Sequence, residues 1–230
     1  MERKFAVIGL GHFGEHLAVE LAQKGAEVLA IDEELERLEA IKDKVTHAVR
    51  LDATDEKALL SQGLQDFDAV IVGIGDDFEA ALLTVAMLQR IDAKRIIVRA
   101  TTSIHERILN HVGIKEVVLP ASEAADRLAN TLMFEKVVDS FALTSDYTIA
   151  EVTAPDSFIG RTIQELDLRK RFEISLITIK RTESKSQLLG FKKREVVTII
   201  GVPTQLTMVR QGDVLVVFGH KKSIQMMLEA

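Results

Sequence analysis

Three glycines and one aspartate carry the clearest chemical signal in the sequence. Gly9, Gly11 and Gly14 follow a short apolar run and open an amphipathic segment, and Asp32 ends the next apolar run. This order of strand, glycine turn, helix, strand and acidic residue is the dinucleotide-binding fingerprint, with the acid about 20 residues past the turn. The expected ligand therefore contains an adenosine.

Each residue type has a role in such a site. Gly9 makes the tight turn, Gly11 lets the backbone approach a pyrophosphate, and Gly14 lets the helix pack on the strand. The phosphates lie on the backbone amides of the helix N-terminus, and Asp32 accepts hydrogen bonds from the ribose, which disfavours NADP. The alternative is that the glycines serve only turn and packing.

His12 and Phe13 complete the turn and belong to the predicted cofactor-binding set. His12 either donates to a phosphate or is merely exposed. Asp52 and Ala53 follow the third predicted strand, at the sheet edge where ligands of open α/β sheets bind. Asp52 either contacts the ligand or caps the next helix, a role for which Thr54 competes.

Three further candidates lie beyond the fourth and fifth predicted strands. Gly73 and Gly75 would let a flat base approach the backbone, or simply form the strand-to-helix turn. Arg99 ends the fifth strand, where it either reaches a phosphate or pairs with Asp76 or Asp77.

The alternation of short apolar runs with helical periodicity predicts a doubly wound, Rossmann-like α/β domain with a parallel sheet in the order 3-2-1-4-5-6. This domain is expected to span residues 1–140 and to end in a crossover helix over 122–140. The apolar face of that helix is wider than one sheet would bury, which indicates a partner subunit or domain. Residues 145–230 read as a small α+β module of β-strands and short helices.

Composition limits the functional classes. The chain has 230 residues, a formal net charge of -6, 47% hydrophobic residues and no cysteine. The negative charge argues against nucleic acid as a partner. The first strand begins too early for a signal peptide, and no apolar run approaches the ~20 residues of a membrane span, so a cytoplasmic protein is expected. A basic cluster between Lys180 and Arg194 either forms a solvated hairpin loop or faces an anionic surface.

These segments together resemble a known family. The order GLGHFG, AID, LDATD, VGIGDD, VRA and VLPASEAADRLA, followed by FIGRTIQELDLRKRF and RQGDVLVVFG, is similar to RCK proteins, the regulators of potassium conductance, and especially to Ktr/Trk regulatory subunits. The resemblance implies a TrkA-N domain that binds ATP, ADP or NAD(H), and a TrkA-C module. It also implies self-association as dimers that build a tetramer or octameric ring beneath a membrane potassium-translocating subunit.

The resemblance assigns the phosphate turn to Gly9, Gly11 and Gly14, the ribose contact to Asp32 and a phosphate-side position to Arg99. Two positions depart from the family pattern. His12 replaces the arginine of many Ktr subunits, which leaves NAD(H) or AMP-like ligands open. Ala121 replaces a metal-linked glutamate, so no metal site is predicted and Glu123 is a weak candidate. Some members bind cyclic di-AMP at the C-terminal dimer interface, and residues 158–172 correspond to that segment.

Three functional hypotheses follow. The first is a nucleotide-sensing, non-enzymatic gating subunit of a potassium uptake system, peripheral to the inner face of the membrane. The second is an NAD-dependent oxidoreductase, because one fold hosts many functions. Hydride transfer needs a general acid or base, and the C-terminal module offers only His220. The third is a ligand-binding module without a membrane partner.

Overall fold

A computed structural model describes residues 3–133, 136–185 and 194–230 of the chain. The chain divides into two compact units, Met1–Glu123 and Ala124–Ala230. The division into domains at 1–140 and 145–230 stays a prediction. Within the described residues, no helix combines the length and hydropathy that crossing a bilayer requires.

The first unit is built on a parallel sheet of six strands in the order β3-β2-β1-β4-β5-β6, which confirms the predicted order. Its strands are β1 (Lys4–Ile8), β2 (Glu27–Asp32), β3 (His47–Arg50), β4 (Ala69–Val72), β5 (Ile96–Arg99) and β6 (Glu116–Val118).

Helices connect these strands and cover the sheet. They are α1 (His12–Gln23), α2 (Leu35–Ile41), α3 (Glu56–Leu60), α4 (Phe78–Arg90) and α5 (Ser103–His111). The sheet separates two apolar clusters, one containing Ile8 and Val72 and the other Val7 and Ile71. Neighbouring residues of a strand point to opposite faces, so the central strands are buried on both sides, as expected for a parallel sheet.

The predicted crossover helix over 122–140 is too long. The helix α6 spans Pro120–Met133, and residues from Val137 onward form strand β7 (Val137–Ala142). The β-branched and aromatic residues of β7 favour an extended chain, and pairing with the next strand decides between the two states. Arg127 on α6 binds Asp139 on β7 through a 2.8 Å contact of Nη2 with Oδ2, and this guanidinium lowers the pKa of Asp139.

The second unit contains an antiparallel sheet in the order β10-β9-β11-β8-β7. Its further strands are β8 (Tyr147–Thr153), β9 (Ser175–Lys185), β10 (Arg194–Ile199) and β11 (Val214–His220), and its helices are α7 (Ile163–Leu166), α8 (Leu168–Phe172) and α9 (Lys221–Leu228). The core of this unit includes Phe158, Leu166, Ile179 and Leu215.

Two members of the basic cluster pair inside the second unit. Lys180 Nζ lies 2.5 Å from Glu151 Oε1. Arg181 donates from Nε and Nη2 to the buried carboxylate of Asp213, with both distances at 2.7 Å. The solvated-loop interpretation is therefore wrong for these two residues, because each finds a carboxylate across the sheet. The side chains of the remaining members, Lys185, Lys192, Lys193 and Arg194, lie outside the described residues.

Candidate functional site

A cleft lies in the first unit at the carboxyl ends of its central strands. Chain connections run to opposite sides from β1 and β4, so the strand order reverses between them, and open α/β sheets bind ligands at such a switch point. The cleft is lined by Ile8, Gly9, Gly11, Asp32, Glu33, Arg37, Leu51, Asp52, Ala53, Thr54, Gly73, Ile74, Gly75, Asp76, Ala80 and Arg99.

Glycine is required where three backbone segments meet beneath the cleft. Gly9 has a φ of +87°, a conformation that side chains disfavour, and a Cβ there would lie 2.8 Å from Ile74. A Cβ on Gly14 would lie 1.9 Å from the carbonyl oxygen of Gly9, and one on Gly73 would lie 2.8 Å from the same oxygen. These contacts place α1 directly against the first turn.

Gly11 differs from these glycines because a Cβ on it would meet no atom within 4 Å. It is the N-cap residue of α1 and has an extended backbone, with φ of −62° and no side-chain cap. The first amides of α1 therefore lack a side-chain acceptor, and the positive end of the helix dipole lies beside the cleft. This arrangement suits a phosphate group.

Asp32 is a buried carboxylate at the end of β2, with its side chain 4% exposed. Its Oδ2 accepts a hydrogen bond from the Leu10 amide at 2.6 Å, and its Oδ1 accepts one from the Glu34 amide at 2.9 Å. These two amides hold the carboxylate in one orientation at the cleft wall. A carboxylate oxygen has two lone pairs, so Asp32 keeps capacity for a ligand hydroxyl.

Arg37 and Glu33 also line the cleft, and the sequence analysis missed both. Arg37 lies on α2, with Nη2 at 2.8 Å from Glu34 Oε1 and Nη1 at 3.5 Å from Asp32 Oδ2. The only sequence signal for Arg37 is that a cation follows five residues after the acid that ends β2. Helix periodicity marks Arg37 only as one of many surface charges.

Asp52 does not cap the following helix. Asp55 is the N-cap of α3 and accepts hydrogen bonds from the amides of Lys57 and Ala58. Asp52 Oδ1 instead accepts from the Thr54 hydroxyl at 2.6 Å and from the Thr54 amide at 2.8 Å. These hydrogen bonds, the hydroxyl first, lower the pKa of Asp52, which keeps it anionic at the cleft rim.

Arg99 approaches the cleft across the face of Phe13, with its guanidinium carbon 5.9 Å from the ring centroid. In the part of the chain that the structure describes, it forms no ion pair, so the pairing with Asp76 or Asp77 is wrong. Asp77 instead caps α4. A Cβ on Gly75 would lie 2.5 Å from Arg99 Nη1, so this glycine makes room for the guanidinium.

Most of the predicted site residues meet in this cleft: Gly9, Gly11, Asp32, Asp52, Ala53, Gly73, Gly75 and Arg99. His12 is exposed, Phe13 is half-buried and Gly14 is buried, and these three do not line it. Glu123 is exposed on α6, and the described residues hold no group of three or more potential His, Cys, Asp or Glu metal ligands. The binding roles of all these residues stay predictions.

Two domain families match the chain. Residues 5–120 match the TrkA-N domain, and residues 147–230 match the TrkA-C domain. The first match contains the whole cleft, and the second begins at the first residue of β8.

The similarity to two curated proteins extends over almost the full sequence. Ktr system potassium uptake protein C of Bacillus subtilis (strain 168) is 32% identical over 224 residues, which cover 97% of this chain and 95% of that protein. Ktr system potassium uptake protein A of the same strain is 33% identical over 223 residues, covering 97% and 94%.

Solved structures share the fold. The GsuK RCK domain has a TM-score of 0.63 at 16% identity and covers 98% of this chain and 46% of that chain. The GsuK channel bound to NAD has a TM-score of 0.64 at 15% identity, with 99% of this chain and 39% of that chain covered. This likeness confirms a Rossmann-like unit followed by a smaller antiparallel unit.

Proposed function

Because this chain belongs to the family that joins a TrkA-N domain to a TrkA-C domain, we propose that it is a nucleotide-binding regulatory subunit of a potassium uptake system. Its ligand is an adenine nucleotide, either NAD(H) or ATP/ADP. Its partner is a membrane-embedded potassium-translocating subunit of the Ktr/Trk type, which it contacts at the inner face of the membrane.

The observation that carries the proposal is the cleft at the strand-order reversal. It combines a phosphate-binding element, the uncapped start of α1, with a fixed carboxylate, Asp32, at the position where a ribose is expected. Arg99 supplies a cation on the opposite side of the cleft. An adenosine carrying phosphates requires groups of these kinds.

Regulation requires that the nucleotide favours one conformation of an assembly over another. A ligand shifts such an equilibrium only by the difference between its affinities for the two states. A tenfold preference corresponds to about 1.4 kcal/mol, which one charged contact to a terminal phosphate supplies. We expect dimers that build a tetramer or an octameric ring, whose shape follows the bound nucleotide.

A second ligand is proposed for the C-terminal unit. A groove between α7, α8 and β9 is lined by Ile163, Asp167, Leu168, Arg169, Ile174 and Pro203, among others. Its apolar residues, such as Ile163 and Pro203, suit a purine base, and Arg169 suits a phosphate. This groove lies within and beside the segment 158–172, so we propose it as one half of a cyclic di-AMP site between two copies.

Binding measurements on the purified full chain test the proposal. Isothermal titration with ATP, ADP, NADH, NAD, AMP and cyclic di-AMP gives the ligand, and light scattering after size exclusion gives the particle mass in each state. Asp32→Ala is expected to weaken binding of the adenosine ligands about tenfold or more. Absence of affinity for every nucleotide would refute the proposal.

The proposal also excludes catalysis as the main role. Incubation of the protein with NADH and a panel of small carbonyl compounds is expected to leave the absorbance at the NADH band constant. Steady turnover of any compound would favour the oxidoreductase hypothesis. Co-purification with a tagged Ktr/Trk membrane subunit distinguishes a transport subunit from a ligand-binding module without a partner.

A further inference from the structure

We propose that Arg37 acts together with Asp32 as a donor–acceptor pair for the 2′-hydroxyl of the bound nucleotide, so that the cleft selects ribonucleotides over 2′-deoxyribonucleotides. The inference rests on the proposed nucleotide-binding function and adds a specificity-determining residue to it.

The acceptor of this pair is held in one orientation by two backbone amides. The amides of Leu10 and Glu34 hold the two oxygens of Asp32 at 2.6 and 2.9 Å, and only 4% of the side chain is exposed. The carboxylate cannot rotate to follow a ligand without breaking one of these bonds. It therefore offers its remaining lone pairs at one place on the cleft wall.

The donor is held beside it by a separate tether. Glu34 Oε1 lies 2.8 Å from Arg37 Nη2, an i,i+3 pair at the start of α2. The other terminal nitrogen, Nη1, lies 3.5 Å from Asp32 Oδ2, which is long for a hydrogen bond to a carboxylate. Nη1 thus lies at the Asp32 edge of the cleft and makes only a long contact with the carboxylate there.

A hydroxyl matches this pair because it both donates and accepts. It donates its proton to Asp32 and accepts a proton from Arg37 through an oxygen lone pair. A hydrogen atom in its place can do neither, so the buried carboxylate loses a donor and the guanidinium, whose side chain is 39% exposed, loses an acceptor. Sites built to bind a hydroxyl reject ligands that lack it for this reason.

The test compares ADP with 2′-deoxy-ADP by isothermal titration of the full chain. In the wild type we expect ADP to bind at least tenfold more tightly. Arg37→Ala is expected to weaken ADP about tenfold, the effect of one charge-assisted hydrogen bond, and to change the affinity for 2′-deoxy-ADP less than twofold. Arg37→Lys keeps the charge but loses the fork geometry, so it is expected to give an intermediate ratio.

Arg90→Ala is the matched control. Arg90 makes a comparable ion pair, with Nη2 at 2.9 Å from Glu56 Oε1, and does not line the cleft. It is expected to change neither affinity. Glu34→Gln retains Arg37 and weakens only its ion pair with residue 34. It is expected to reduce the preference for ADP over 2′-deoxy-ADP. Thermal unfolding checks that this variant remains folded.

Four results would overturn the inference. An equal loss of both ligands in Arg37→Ala would mean that the guanidinium acts through general charge or through the fold. If Arg37→Ala leaves the affinity for ADP unchanged, the guanidinium makes no contact with the nucleotide. If the wild type binds ADP and 2′-deoxy-ADP equally, the hydroxyl is not recognised, and the inference fails although the proposed function stands. If the wild type binds neither, ADP is not a ligand of the proposed function, and the inference fails with it.

Discussion

The glycines of the cleft have different physical roles, and substitution to alanine separates them. Gly14→Ala places a methyl group 1.9 Å from a carbonyl oxygen that belongs to the backbone and cannot move aside. We expect it to lower the free energy of unfolding by about 3 kcal/mol or more. Gly11→Ala meets open space and adopts an unstrained backbone, so its stability should stay within about 0.5 kcal/mol of the wild type.

Gly11→Ala is expected to weaken nucleotide binding although it leaves the stability almost unchanged. The methyl group of Gly11→Ala projects into the cleft where the phosphates are expected, so nucleotide affinity should fall about tenfold in a protein that remains folded. Urea denaturation and titration with the preferred nucleotide measure the two properties. Equal stability losses in both variants would contradict the packing argument, and unchanged affinity in Gly11→Ala would place the phosphates elsewhere.

A second residue-scale prediction concerns the charge of Asp52. Its pKa is lowered in the folded protein first by the Thr54 hydroxyl and then by the Thr54 amide. Thr54→Val removes the hydroxyl and should raise this pKa toward the ordinary aspartate value, whereas Thr54→Ser should preserve it. The carboxyl carbon shift of Asp52, followed by NMR through an acid titration, measures the effect.

The sign of the linked stability follows from the direction of the shift. A lowered folded-state pKa stabilises the fold above the ordinary pKa of an aspartate, about 3.9, and this contribution disappears as the pH falls through the folded-state pKa. The difference between Thr54→Ser and Thr54→Val in stability should therefore narrow in acid. A difference that is constant with pH would mean that the hydroxyl does not act through Asp52.

At the scale of elements, the last helix has an unusual cap. His220 is the N-cap of α9, and its Nδ1 accepts the amide hydrogen of Lys222 at 3.1 Å. His220→Ala removes this acceptor together with the ring contact to Tyr147. His220→Asn loses the ring but retains an acceptor, and asparagine is among the best N-cap residues.

We therefore expect the asparagine variant to be more stable than the alanine variant by about 1 kcal/mol. Because both variants lack the ring, their difference isolates the cap from the packing on Tyr147. Denaturant unfolding of the two proteins measures it. Identical midpoints would show that α9 does not depend on this hydrogen bond.

The elements that the sequence predicts well are those with a clear hydrophobic pattern. β1, β2 and β4 are continuous apolar runs between glycines and charges, and their order follows from the regular alternation with helices. The first part of β7, residues 137–140, was wrongly predicted as helix, because its apolar residues continue the spacing of α6 and the competing interaction is distant in sequence. The pairing of β7 with β8, for example Phe141 with Ile149, is visible only once the sheet has formed.

The cleft shows the same limit at the level of the site. Residues at the ends of neighbouring parallel strands converge by geometry alone, so Asp32, Asp52 and Arg99 could be placed together from the sequence. Arg37 could not, because its position depends on where α2 begins and on its tether to Glu34. Side chains that reach a site from a helix flank need the helix phase, which the sequence leaves uncertain by a residue or two.

At the scale of the whole molecule, an exposed apolar surface predicts self-association. Leu128, Leu132 and Met133 on α6 are 60%, 75% and 77% exposed, and Phe141 on β7 is 64% exposed. Large apolar side chains grouped on one segment are a common feature of protein interfaces. We therefore expect this surface to contact a second copy of the chain in the proposed assembly.

Introducing two charges on this surface by substitution should weaken assembly and leave nucleotide binding unchanged. Leu132→Glu with Met133→Glu places carboxylates at positions that a partner must desolvate, at a cost of several kcal/mol for each unpaired charge, so the particle mass measured by light scattering should fall. Leu60→Glu, at a residue 45% exposed on α3, is the control and should leave the mass unchanged. The double variant should keep its nucleotide affinity, because the cleft residues are unaltered. If the double variant keeps the particle mass of the wild type, the interface does not include α6. If it loses both particle mass and nucleotide binding, a second copy of the chain completes the binding site.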